Sequence, residues 1–207
     1  YVLEMAHVIK KYKMHFLLDF HYSDYWADPG QQNKPDAWKN LSFDELKEAV
    51  HKYTYDVLYR LKIMDCAPDM VQIGNEIRSG MLFPDGAVPQ YRQLAALVNE
   101  GIRAVRELLP ETKVMIHLDQ GGRYNCIMPW LDSMFNAGML PIDAIGLSFY
   151  SFWHGTFMDL KDTMSRLIKL YNLPVYIVET AHPWRHCKGE HISKELMELS
   201  LIHISEP

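Results

Sequence analysis

Residues 70–77 read MVQIGNEI: a short apolar run with β-branched side chains, a glycine, then an amide and a carboxylate. A run of this length suits a strand buried on both faces, and the polar pair falls where such a strand ends. The same pattern recurs on both sides. HFLLDF (15–20), KVMIHL (113–118), AIGLSF (144–149) and VYIVE (175–179) are also short apolar runs, and each delivers polar side chains at its end. These are Asp19 and His21, His117 and Asp119, Ser148 and Tyr150, and Glu179.

Helix-length segments lie between the runs. Leu46, Val50, Tyr53, Val57 and Leu61 recur at steps of three and four, as do Leu94, Val98, Ile102, Val105 and Leu109, so each segment carries one apolar stripe. Ser42, ahead of Asp44 and Glu45, marks a helix start, and Pro110 and Pro174 lie just past helix ends. Val2, Met5 and Ile9 place a further helix at the opening of the chain. Doubly buried strands alternating with helices give an α/β fold built on a parallel sheet. No GxGxxG or GxxxxGK[ST] follows a strand, which removes the usual support for dinucleotide or P-loop nucleotide binding. Polar groups at the carboxyl ends of successive parallel strands are what the active face of a (β/α)8 TIM barrel presents, and five strands make a partial barrel. One domain is expected over residues 1–198, with 199–207 a non-native or unstructured tail.

Composition narrows the function classes. With 207 residues, 48% of them hydrophobic and 23% charged, the chain can bury a single core, which excludes a disordered protein and a disulfide-stapled mini-protein. The net charge is -5, Lys and Arg are scattered, and no apolar run approaches the roughly 20 residues of a membrane span, so neither nucleic acid nor membrane is an expected partner. Cys66, Cys126 and Cys187 form no CxxC pair, so no zinc knuckle or thioredoxin-type site is written here.

The sharpest chemistry is the pair Glu76 and Glu179, each at a strand end. Two carboxylates facing across a cleft are the minimum equipment for glycoside hydrolysis: one protonates the departing oxygen, the other attacks or activates water. Asn75 beside Glu76 can hydrogen-bond a sugar hydroxyl. The competing reading makes either glutamate a helix cap or an arginine partner. Asp19-x-His21 and His117-x-Asp119 admit a metal-dependent hydrolase, since imidazole and carboxylate at strand ends can hold zinc, although the usual His-x-His pair is lacking.

Five stretches carry a resemblance to a known family: LLDFHYSDYWADPGQQNKPDAW (17–38), VQIGNEIRSGMLFPDG (71–86), KVMIHLDQGG (113–122), IGLSFYSFWHG (145–155) and YIVETAHPW (176–184). In content and order they resemble glycoside hydrolase family 53, the endo-β-1,4-galactanases. The resemblance implies that residues 14–20 are strand three and 175–179 strand seven of the complete barrel, with strands one, two and eight absent. An arginine at the end of strand two and any calcium site in the last loop would be absent with them. It implies Glu76 as general acid/base and Glu179 as nucleophile of a retaining mechanism acting on β-1,4-galactan in type I arabinogalactan. It further implies that Asn75 binds the 2-hydroxyl, that Tyr150 donates to the nucleophile, and that His21, Asp24, His117 and Asp119 sit on the active face. Trp153 and Trp184 are expected to stack on sugar rings, while Trp26 and Trp38 admit either stacking or loop anchoring. Phe83 stands where a Trp is usual, His182 where an aromatic precedes Pro-Trp, and Tyr25 where Thr is common. No cofactor or metal is expected, the complete protein is expected to be an extracellular monomer, and a non-catalytic galactan-binding fragment is the remaining alternative.

Overall fold

The computed structural model describes residues 1–181. Its main sheet has five parallel strands, β1 (Leu17–Phe20), β2 (Met70–Ile73), β5 (Lys113–Leu118), β6 (Ala144–Phe149) and β7 (Val175–Thr180), in the order β1-β2-β5-β6-β7. Chain order and sheet order coincide. Without a reversal there is no topological switch point, and crossovers of one hand keep every helix on one side, which is the geometry of a barrel wall. Between β2 and β5 the chain also forms a small antiparallel hairpin, β3 (Gly80–Met81) with β4 (Gly86–Ala87).

The helices follow the sequence pattern, with instructive differences. α2 (Phe43–Ile63) opens on a capping box in which Ser42 and Glu45 satisfy each other's backbone N–H groups. Its buried stripe is Leu46, Val50, Thr54, Leu58 and Leu61, whereas Tyr53 is 48% exposed. Thr54 goes inward because its hydroxyl is satisfied there, donating to the Val50 carbonyl and meeting the Tyr22 hydroxyl, each at 2.8 Å. α3 (Tyr91–Leu108) buries Leu94, Val98, Ile102 and Val105 as the spacing requires. On α1 (Val2–Lys11) Val2 and Met5 are exposed, while Leu3, Ala6 and Ile9 face the core, so the stripe is rotated from the one expected. α4 (Tyr124–Asn136), the short α5 (Ser151–His154) and α6 (Phe157–Tyr171) complete the layer.

The core lies between the sheet and α2, α3 and α4. β6 is buried along its whole length and β5 at every residue but Lys113. Each fully buried Leu, Ile or Val here contributes roughly 1.5–3 kcal/mol of transfer free energy. The two edge strands differ: β1 alternates exposed and buried residues, and β7 is only half-buried. Among the described residues no helix is long and apolar enough to cross a membrane.

Candidate active site

The site is assembled at the carboxyl ends of the five strands. β2 ends at Ile73, Gly74 turns the chain with φ of 82°, and Glu76 itself adopts left-handed backbone with φ of 50°. A non-glycine residue held there stores of the order of 1–3 kcal/mol and persists only where its surroundings enforce it. Asn75 supplies much of that enforcement. Its Nδ2 donates to the Ala27 carbonyl at 2.8 Å, its own carbonyl accepts from Gln32 Nε2 at 2.8 Å, and its Oδ1 lies 2.8 Å from His117 Nδ1. Glu76, 7% exposed, is thereby aimed across the sheet to the end of β6, where its Oε1 lies 2.5 Å from Ser148 Oγ.

Glu179 reaches the same place through a register shift. β6 and β7 pair Leu147 with Ile177 and then Ser148 with Glu179, so Val178 is passed over. Such an irregularity re-aims the following side chain. Glu179 accepts from the Tyr150 hydroxyl. One oxygen of Glu76, one oxygen of Glu179 and one ring nitrogen of His117 lie within 4.8 Å of one another.

The electrostatics separate the groups. Burial pushes the Glu76 carboxyl up to about 7, opposed by a hydrogen bond with Ser148 and reinforced by the negative charges of Glu179, Asp119 and Asp28. Burial, with a small contribution from His21, pushes His117 down to about 3, so its imidazole is neutral. Tyr150 is raised above the ordinary phenol value by desolvation and by Glu179 beside it, which keeps it a neutral donor. His21 is raised by its hydrogen bond to Asp19, burial opposing, with Glu179 and Glu76 adding to the rise.

The remaining candidates divide. His21 donates from Nε2 to Asp19 at 2.9 Å while its Nδ1 accepts from the Ala27 N–H at 3.0 Å, so it stands on the active face in a fixed tautomer. Asp119 is 3% exposed and both its oxygens accept from Arg78, at 2.8 and 2.9 Å. Asp24 is exposed and its Oδ2 accepts from the Asp36 N–H at 2.7 Å, which ties the loop after β1 and leaves it outside the cluster. Trp153 is 60% exposed, with its ring against Tyr150 at 5.5 Å. Trp26 is exposed, whereas Trp38 packs edge-on against Tyr53 at 5.9 Å and anchors its loop. Trp184, His182, Cys187 and the tail 199–207 lie outside the described residues.

Asp19, His21, His117 and Asp119 are not gathered around one point: Asp19 binds His21, Asp119 binds Arg78, and both nitrogens of His117 face Asn75 and Ser148. Among the described residues the group close enough to share an ion is Glu76, His117 and Glu179. Three contributors were not singled out from the sequence, Arg78, Gln72 and Gln32, and Ser148, noted as a strand-end polar residue, was given no role. Gln72 did leave a signal, being a polar residue inside an otherwise apolar strand.

The family model described as glycosyl hydrolase family 53 matches residues 1–204. The chain belongs to glycosyl hydrolase family 53. Among family relatives it is 35% identical over 190 residues to arabinogalactan endo-β-1,4-galactanase A of Emericella nidulans, covering 88% of this chain and 54% of that one. It is 47% identical over 188 residues to an uncharacterized protein in the bgaB 5' region of Niallia circulans, covering 87% of this chain and 51% of that one. The solved family 53 catalytic domain of Ignisphaera aggregans superimposes with a TM-score of 0.86 at 37% identity, over 98% of this chain and 56% of that one. The family 53 chain thus spans about half the length of the curated relatives it matches, and its five-strand sheet is part of a TIM barrel.

Proposed function

We propose that the protein hydrolyses internal β-1,4-D-galactosidic linkages of type I arabinogalactan, with Glu76 as general acid/base and Glu179 as nucleophile. The observation that carries this reading is the approach of two carboxyl groups from β2 and β7, one of them pushed up to about 7. Retaining glycosidases need two carboxyl groups close together, about 5–5.5 Å apart, with the acid protonated before reaction. The galactan specificity rests on family membership and on the printed name of the Emericella nidulans relative.

In the first step Glu179 attacks the anomeric carbon while Glu76 gives its proton to the departing glycosidic oxygen, leaving a galactosyl ester on Glu179. In the second, Glu76 as carboxylate takes a proton from water, which attacks the anomeric carbon and frees Glu179. The two inversions retain configuration. Asn75 has one amide N–H on Ala27, and its second is assigned to the 2-hydroxyl of the reacting sugar. Tyr150 orients Glu179, while His21 and the exposed face of Trp153 are assigned to the sugar chain. Asp24 and Asp119 support loops rather than substrate in this reading. Action outside the cell follows from a polymeric cell-wall substrate, and no cofactor is required.

The test is reducing-end release from linear β-1,4-galactan by the full-length protein, with β-mannan and xylan in parallel. Galactan cleavage that disappears in Glu179→Gln is the expected result. Cleavage of mannan or xylan alone would overturn the substrate; binding of galactan without any turnover would overturn the enzyme reading in favour of a binding module.

A further inference from the structure

We propose that Ser148 and His117 are positioning residues for the acid/base: His117 takes the hydroxyl hydrogen of Ser148, which obliges Ser148 to accept from Glu76 and so places a proton on that carboxyl. The inference deepens the assignment of Glu76 and rests on it.

The hydrogen count leads there step by step. Asn75 Nδ2 faces the Ala27 carbonyl, an acceptor only, so the amide cannot be reversed and Oδ1 points at His117 Nδ1. Asn75 Oδ1 can only accept, so across 2.8 Å His117 Nδ1 must be the donor. The 3.2 Å approach of Gln72 Nε2 to Nδ1 then carries no hydrogen bond, and Gln72 has the Gly74 carbonyl and Asn75 Oδ1 as acceptors at 3.3 Å. His117 is 1% exposed and, among the described residues, hydrogen-bonds to no carboxylate, so it holds one proton, on Nδ1, and its Nε2 is a bare acceptor. Ser148 Oγ, 2.8 Å from Nε2, has one hydrogen and gives it there. Donated across the 2.5 Å contact to Glu76 Oε1 instead, that hydrogen would leave the buried Nε2 without a donor; kept on Nε2, it makes Ser148 the acceptor from a protonated Glu76.

A hydrogen bond donated by Ser148 would lower the proton affinity of Glu76; with its hydrogen held on Nε2, this serine favours the acid instead. Other charged and titratable groups around Glu76 are Glu179 on β7, Asp119 after β5, Asp28 after β1, and His21, Arg78 and Tyr150 at the same face. The three negative charges act in the same direction as the relay. When Glu76 surrenders its proton, the Ser148 hydrogen is contested by Nε2 and the new carboxylate, so the anion is poorly held and readily takes a proton back from water. That is the second half of the acid/base task.

The experiment is NMR of the full-length protein, which needs no turnover. Ring 15N signals of His117, assigned by His117→Phe, report the protonated nitrogen; 13C-labelled Glu76, assigned by Glu76→Gln, reports its titration. The expected result is a neutral ring protonated at Nδ1 from pH 5 to 8. In Ser148→Ala the proton affinity of Glu76 should fall about tenfold, and Ser148→Thr, which keeps the hydroxyl, should restore it. A ring protonated at Nε2, a charged ring, or a Glu76 affinity unchanged or higher in Ser148→Ala would overturn the proposal. The ring signal is read in the unmodified protein, so a variant that fails to fold does not block the test. Loss of galactan cleavage with these signals as expected would fault the functional reading alone.

Discussion

Tyr150 shows what one atom does at this site. Its hydroxyl donates to Glu179, the contact that the family resemblance implies. Hydrogen bonds to charged groups are worth about 1.5–3 kcal/mol, so Tyr150→Phe should lower kcat/KM on β-1,4-galactan by roughly 10- to 100-fold with the melting temperature little changed. Steady-state kinetics and a thermal melt of the same preparation check it; an unaltered kcat/KM would mean Tyr150 is only packing. Ser148 shows in the sequence as a polar strand end, but its role does not. A lone hydroxyl in AIGLSF has no periodic signature, and its neighbour Glu76 lies 72 positions away in the chain. Gln72 is the intermediate case, visible as a polar residue in a buried strand but with partners that only the paired strands define.

At the scale of elements, Arg78 and Asp119 connect the turn after β2 to the end of β5. Asp119 is almost fully buried, and removing one partner of such a pair leaves an uncompensated charge, a loss of about 3–5 kcal/mol. Arg78→Met should show that loss in urea denaturation, and Arg78→Met with Asp119→Asn should recover most of it. Equal losses in the single and double variants would mean that the pair is not what holds the turn. The strands themselves were legible, all five falling within a few residues of the apolar runs, because strands buried on both faces leave continuous hydrophobic stretches. The β3–β4 hairpin was not. Two residues per strand carry no period, and its turn depends on Gly86, where a Cβ would meet the Met81 carbonyl oxygen at 2.3 Å. The β6–β7 register shift was equally silent, since skipping Val178 changes no pattern within either strand.

For the whole molecule, the raised Glu76 carboxyl ties stability to pH. A carboxyl at about 7 when folded, against 4.5 ordinarily, means that the folded state binds the proton more tightly than the unfolded one. Between these values stability falls as pH rises, and the loss is complete once pH exceeds about 7. Glu76→Gln removes the ionisation. Thermal melts should place this variant above the wild type at pH 8, by the order of 2 kcal/mol once residual solvent screening is allowed for, with the difference vanishing near pH 4. A gap that does not change with pH would show that the carboxyl is not raised by folding. The same titration puts the alkaline limb of activity near pH 7. The parallel sheet was readable at this scale from the alternation of runs and stripes, and the barrel from the polar side chains at successive strand ends. The inward turn of Thr54 was not, because its direction depends on Tyr22, brought to it by the fold.

The central claim is that Glu179 forms a covalent bond to the sugar while Glu76 moves the proton. Incubating the full-length protein with a 2-deoxy-2-fluoro-β-galactoside bearing a good leaving group, followed by peptide mass mapping, tests it most directly. The account predicts one fluorogalactosyl group per molecule, attached to the peptide containing Glu179 and absent in Glu179→Gln. Labelling of another residue, or turnover of galactan with inversion and no trapped ester, would contradict it.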